Sequence, residues 1–286
     1  EGYTCLNGDD KFNRHILIYT TNHNGFEEIN ELISASYQRD GHFYKRPRMF
    51  IDEILKCKNI IISTACSGGI FAESKEEDKE NSDIVKSKIL EWGLENKDKL
   101  FLEIQPHIYN KQIIVNNEVL KLYKQGYNII CSNDVHYTNS NFKEIRKIIS
   151  MDKNSGDEFE LVFDLSIKSY EEQLKNFINV GIEKSIVEEA LANTIKLHDM
   201  CEEYEIDCGF KYPQIYDDPK TTLMQRCVSR LYSLNYIKQS EYGKYIERID
   251  YELGVMEKLG SLSYMNLFSD WLSWCKEVGI AIGYSR

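Results

Sequence analysis

Between residues 15 and 150, short and nearly uninterrupted apolar runs alternate with longer stretches whose apolar positions recur every three or four residues. "HILIYTT" (15–21) precedes "GFEEINELISASYQR", and "NIIISTA" (59–65) precedes a long charged stretch over 73–99. "LFLEIQ" (100–105) precedes "NNEVLKLYKQG", and "NIICSND" precedes "NFKEIRKIISM". Strands made of near-continuous Ile and Leu are buried on both faces, and helical periodicity between them supplies the cover. The pattern therefore predicts an α/β fold with a parallel sheet. After about residue 166 it turns helical, in "KSYEEQLKNFINVG" and "KSIVEEALANTIKLHDMCEEY". Cys208 to Pro219, with Gly209, Pro213 and Pro219, reads as a linker. Residues 221–286 read as helices closed by a short final strand, and no internal repeat is visible.

The polar residues fall at particular places in this pattern. Cys66 follows "IIIST", Gln105 and His107 follow "LFLEI", and Asp134 and His136 follow "IICSN". Asp134 and His136 are two apart, so on extended backbone they project to the same side. In α/β barrels and doubly wound sheets, function gathers at the carboxyl ends of the strands, which is where three predicted strands place these side chains. Carboxylate, imidazole and thiolate together suit a borderline-soft divalent metal such as zinc, manganese or iron, and such clusters activate water against phosphoesters. Plainer readings stand beside this one. A cysteine after a strand is often a small core residue, Asp134 can cap the next turn, and His136 can bond a backbone carbonyl. His107, beside Pro106, is either a ligand or a loop histidine; His23, His42 and His198 lack matching neighbours and read as structural. The phosphate-binding and dinucleotide glycine loops, the G-x-S-x-G elbow and the H-E-x-x-H helix are all absent.

Composition narrows the classes further. The chain has 286 residues, 42% hydrophobic and 28% charged, with no apolar run long enough to span a membrane. No secretion signal is evident, and the eight cysteines form no C-x-x-C pair, so neither a disulfide framework nor a zinc knuckle is expected and a reducing cytoplasm is the natural setting. A net charge of −11 argues against a surface that embraces DNA as a whole. The compact basic patch is "HFYKRPR" (His42 to Arg48), either a loop that contacts a nucleic-acid backbone or a solvated turn. The chain begins at Glu1 rather than Met and stops after "AIGYSR", as a piece of something longer would.

Several motifs, in order, resemble the alpha (catalytic) subunit of bacterial DNA polymerase III. "HILIYTTNHNGFEEINELISASYQRDGHFYKRPR" resembles that family's His-Leu strand, Asn-x-x-Gly-[YF] turn and following helix. "ISTACSGGI", "LFLEIQPH", "CSNDVHYTNSN" and "EEALANTIKLHDMC" are similar to further family motifs, and "RIDYELGVMEKLGSLSYMNLFSDWLSWCKEVGIAIG" looks like the start of the polymerase palm. The resemblance implies that residues 1–207 are the later two-thirds of a PHP domain, a distorted (β/α)7 barrel, that 208–220 is a linker, and that 221–286 opens the palm.

The same resemblance places metal ligands at Glu1, His15, Cys66, Asp134 and His136. It puts the family's first ligands, a His-x-His motif and later histidines, before Glu1, so this stretch alone is expected to bind metal poorly. In family members an intact site is linked to 3′–5′ exonuclease proofreading and a decayed one is structural. At the other end, Gly283, Ser285 and Arg286 stand where the family's glycine-rich motif approaches the incoming triphosphate, with Tyr284 and Ser285 replacing Pro and Gly. The palm aspartates that hold magnesium lie beyond Arg286, so no catalytic residue of synthesis is expected here. The full-length partners implied are template-primer DNA and dNTPs, with a sliding clamp and a proofreading subunit in addition. Two other readings are a stand-alone PHP-type phosphoesterase or exonuclease, and a non-catalytic scaffold. In "YMNLFSDWLSWCKEVG", Leu267, Phe268, Trp271, Leu272, Trp274 and Cys275 form a broad apolar face expected to pack.

Overall fold

The computed structural model describes residues 1–152, 163–209 and 212–283. Contacts within the chain divide it into two units, Glu1–Glu205 and Ile206–Arg286.

In the first unit, β1 (Gly2–Cys5), β2 (Arg14–Thr20), β3 (Met49–Phe50), β4 (Ile60–Ser63), β5 (Leu100–Ile104) and β6 (Asn128–Cys131) form one sheet in the order β3-β1-β2-β4-β5-β6. β4, β5 and β6 run parallel, with Ile62 beside Leu100 and Glu103 beside Ile130. The expected all-parallel sheet needs correction at β2, which is antiparallel to both β1 and β4. The connection from β1 to β2 spans only residues 6–13, too short for the crossover that parallel pairing requires. With β2 reversed, β4 meets it antiparallel as well. The pairings of the described residues leave β3 and β6 at the two ends of one mixed α/β sheet.

The apolar runs are explained by burial on both faces. All residues of β4 and β5 are buried. Ile60, Ile62, Leu100, Leu102, Ile104, Ile129 and Cys131 belong to one large cluster, whereas Ile61, Phe101 and Ile130 form a second cluster with Leu197. Each such side chain contributes about 2 kcal/mol of transfer free energy. The helices of this unit are α1 (His23–Gln38), α2 (Ile51–Ile54), α3 (Lys79–Glu95), α4 (Asn110–Tyr123), α5 (Lys143–Asp152), α6 (Tyr170–Asn179) and α7 (Lys184–Asp199). Local chemistry sets their starts. Asn22 caps α1 by accepting from the Gly25 N–H at 3.1 Å, and Ser169 with Glu172 forms a capping box on α6. Gly25 is required there, because a Cβ would lie 2.1 Å from the Asn59 carbonyl oxygen. Asn193 on α7 donates to the Ile129 carbonyl at 2.8 Å, tying that helix to β6.

The second unit holds α8 (Pro219–Tyr232), α9 (Tyr242–Lys258) and α10 (Leu262–Glu277). Asp218 caps α8 and Pro219 occupies its first turn, where a missing N–H costs nothing. Arg226 pairs with Asp270 at 2.7 Å, and the Asn266 amide donates to the Pro219 carbonyl at 2.8 Å. Two expectations are corrected here. No final strand forms over 280–283; Gly279, at φ 77°, terminates α10 in a left-handed turn. Trp271 and Trp274 are each 57% exposed and Phe268 is exposed too, whereas Leu267, Leu272 and Cys275 are half-buried, so only part of the expected apolar face of α10 packs. No helix among the described residues is long and apolar enough to cross a membrane.

Candidate functional site

The carboxyl ends of β4, β5 and β6 lie side by side, and the turns that follow them enclose a pocket of about 330 Å³. It is lined by Glu1, by His15 and Leu17 from β2, by Ala65 and Cys66 after β4, by Glu103 from β5 and Gln105 just after it, and by Ser132 to Val135 after β6. The backbone leaves two of these strands abruptly. Ala65 has φ 61° and Asp134 φ 48°, left-handed conformations that non-glycine residues rarely adopt. Aspartate tolerates this region through local hydrogen bonding, but alanine has no such compensation, so strain of about 1 kcal/mol sits at the pocket wall. Gly69 makes the β4 turn possible: a Cβ there would lie 2.2 Å from the Thr64 carbonyl oxygen. The turn is fastened by Gly69 N–H to Cys66 O at 2.8 Å and by His15 N–H to Gly68 O at 3.0 Å.

Four of the five ligand positions expected from the sequence, Glu1, His15, Cys66 and Asp134, line this pocket. His15 Nδ1 lies 3.5 Å from Glu1 Oε1 and 3.6 Å from Cys66 Sγ. His136 is not among the lining residues; its backbone N–H donates to the Leu165 carbonyl at 2.9 Å, and its ring Nε2 lies 3.7 Å from Asp134 Oδ1. Burial pushes the Cys66 thiol up to about 11, reinforced by the Asp134 and Glu103 carboxylates and opposed by the Gly68 N–H. The sulfur is therefore a neutral thiol at neutral pH. His107 lines a neighbouring pocket of about 490 Å³ that shares Asn133. Burial pushes its imidazole down to about 4, so it is neutral. His42 stacks on Phe50 and bonds Glu53 at 2.9 Å. His23 lies beside Glu27 at 3.6 Å and His198 beside Asp199 at 3.2 Å. Of the nucleotide-contact positions, Gly283 is the last described residue, and Ser285 and Arg286 lie outside the described residues.

Glu103 is the residue that sequence reasoning missed. It is 2% exposed, yet its carboxylate forms part of the pocket wall. It accepts from Ser63 Oγ at 2.7 Å, from Gln105 Nε2 at 2.9 Å and from Ser132 Oγ, so one carboxylate ties together the ends of all three parallel strands. A buried charge is tolerable only when hydrogen-bonded in this way. The available signal was a carboxylate inside an otherwise apolar strand, in "LFLEI".

The pocket's donors, imidazole, thiol and carboxylates, are of the kinds that hold zinc, manganese or iron. Their arrangement does not match: among the described residues no three His, Cys, Asp or Glu side chains are gathered so as to hold a metal ion. The residues present fit a metal in kind but not in geometry.

The class these features define is a mixed α/β sheet unit with a pocket at the carboxyl ends of its parallel strands, into whose wall Glu1, Glu103 and Asp134 bring carboxylates. Sequence comparison gives the kinship. The chain is 27% identical over 309 residues to DNA polymerase III subunit alpha of Helicobacter pylori, which covers 95% of this chain and 25% of that protein. It is 25% identical over 301 residues to the same subunit of Aquifex aeolicus, covering 97% and 25% respectively. It is also 23% identical over 215 residues to a DNA-directed DNA polymerase of Bacillus phage SPbeta, covering 68% of this chain and 16% of that one. No model of a known protein family matches. The chain is thus a homologue of DNA polymerase III alpha subunits along nearly its whole length, as its motifs indicate, and it spans about a quarter of the length of those relatives.

Proposed function

We propose that this chain is a segment of a replicative DNA polymerase of the alpha-subunit type, whose longer protein copies a template-primer by nucleotidyl transfer from dNTPs. The observation that carries the reading is similarity to such subunits over 95% of the chain. In this reading residues 1–207 are the later part of a PHP domain, 208–220 the linker, and 221–286 the opening of the palm. Gly283, Ser285 and Arg286 approach the triphosphate, and magnesium is held by carboxylates outside this segment. A sliding clamp and a proofreading subunit are the further partners. Primer extension by the product of the gene that encodes this chain tests it: template-dependent incorporation is expected, and none at any divalent metal concentration overturns it.

For the pocket at the strand ends we propose metal binding in the longer protein, where residues preceding Glu1 complete a set begun by Glu1, His15, Cys66, Asp134 and His136. The mixed donor chemistry supports this, and 3′–5′ exonuclease proofreading is the associated activity. A scaffold reading competes with it, favoured by the lack of three gathered ligands among the described residues. Elemental analysis of the longer protein separates the two. Bound zinc, manganese or iron supports a metal site; a folded, metal-free protein without exonuclease activity supports the scaffold.

A further inference from the structure

The basic segment "HFYKRPR" is not used by the pocket, yet it stands in a chain of net charge −11. Its arrangement is built rather than splayed. Arg48 has no exposed surface, and its guanidinium donates to three backbone carbonyls: Nε to His42 at 3.0 Å, Nη2 to Gly41 at 2.9 Å, and Nη1 to Asp10. These bonds fasten the connection between β1 and β2 to the loop over 39–48. The two loops meet so closely that a Cβ on Gly8 would lie 3.1 Å from the Gly41 Cα. Asn13 Nδ2 adds a bond to the Tyr44 carbonyl at 3.3 Å. On this clamp Lys45 holds a left-handed φ of 59°, between Tyr44 and Arg46, which are paired across it. For a lysine that conformation costs about 1 kcal/mol and persists only where surrounding structure enforces it.

The outcome is a cluster of cations and rings. Lys11 and Lys45 lie 5.1 and 5.4 Å from the centre of the Tyr44 ring, and the Arg46 guanidinium lies 4.9 Å over Tyr3. Among the described residues, Lys11, Lys45 and Arg46 have no carboxylate at ion-pair distance. Phe43 is 56% exposed beside them. Tyr3 in turn sets its ring edge-on against His15 at 4.7 Å, and His15 lines the pocket. Cationic groups and aromatic faces therefore run from the outer loop to the pocket wall.

The geometry points to a binding site for single-stranded nucleic acid on this surface, with Lys11, Lys45 and Arg46 taking phosphates, Phe43 offering a stacking face to an unpaired base, and the strand directed toward the pocket. Cations interleaved with exposed aromatics are the chemistry that tracks a single strand, whereas a duplex keeps its base faces stacked internally. The choice of DNA as the strand rests on the polymerase reading proposed above; the site itself rests on the clamp, the left-handed turn and three cations with no carboxylate at ion-pair distance among the described residues, Arg46 donating instead to the Tyr3 hydroxyl.

Fluorescence anisotropy with a labelled oligothymidylate tests it on this chain. Three phosphate contacts predict that the logarithm of affinity falls against the logarithm of salt concentration with a slope of about −2. The combined K11Q/K45Q/R46Q change should lower affinity at low salt at least about tenfold and flatten that slope. F43A should weaken binding by roughly fivefold to a hundredfold with the slope retained, as loss of one stacked base does. K121Q/K124Q, exposed at the carboxyl end of α4, should change nothing, and the urea midpoint read from Trp92 in a Trp271→Phe/Trp274→Phe background should be the same in every variant. Absence of salt-dependent binding, or a triple variant that binds as the unaltered chain does, overturns the assignment; so does equal competition by polyglutamate. Primer extension reads the polymerase role separately, so either reading can fail while the other stands.

Discussion

Acidification should destabilise the first unit through His107. Its side chain is 3% exposed, its ring centre lies 5.2 Å from that of Phe163, and burial holds its pKa near 4 against an ordinary value of 6.5. The folded value is the lower one, so between about pH 6.5 and 4 the unfolded chain takes up a proton that the folded chain refuses. The contribution is therefore complete above about pH 6.5 and is lost as pH falls toward 4. A displacement of this size corresponds to about 3 kcal/mol in total, of which about 2 kcal/mol is lost by pH 5. Urea denaturation at pH 7 and pH 5 measures it, read from Trp92 in a background where Trp271→Phe and Trp274→Phe leave one tryptophan, in the first unit. H107Q cannot titrate. It should be less stable than the parent at pH 7 through imperfect packing, yet lose about 2 kcal/mol less between pH 7 and 5. Equal losses in the two proteins would refute the argument.

Other consequences are open to the same kind of test. E103L strands the Ser63 and Ser132 hydroxyls and the Gln105 amide in a buried site, and should cost about 3 kcal/mol in urea denaturation, with E103Q costing less. G69A forces a Cβ against the Thr64 carbonyl and should lower stability by about 2 kcal/mol or more; an unchanged midpoint would show that the turn has room to give. Subtilisin should cut first between residues 203 and 218, where the described backbone is neither helix nor strand, releasing two resistant pieces; initial cleavage inside α3 or α4 would contradict the division. In the longer protein, changing Asp134 and His136 both to Ala should strip the metal proposed for the pocket, and unchanged metal stoichiometry would remove those residues from the ligand set.

What the sequence made legible, and what it hid, follows from where the information is local. β4, β5 and β6 were readable because burial on both faces leaves near-continuous Ile and Leu in "IIIS", "LFLEI" and "NIIC". β1 and β3 were not, because "GYTC" and "MF" carry no comparable apolar run and their pairing is supplied by neighbours. Strand direction was equally hidden: a buried strand reads the same whichever way its partner runs, so the reversal at β2 depends on the short connection before it. In the pocket, Cys66 and Asp134 announced themselves by following apolar runs. Glu103 did not, because it lies within one, and its partners Ser63 and Ser132 come from other strands far away in sequence. The exposed tryptophans of α10 were misjudged since an apolar stripe tells that a face seeks cover, not where the cover comes from.

The proposal that these residues are one stretch of a longer polymerase related to the alpha subunits is tested by reading the coding sequence on both sides of the segment. An open frame is expected that continues upstream into a His-x-His motif and downstream past Arg286 into a palm carrying paired aspartates. A stop codon immediately after the Arg286 codon would contradict it, leaving the carboxylate-lined pocket to be explained without DNA synthesis.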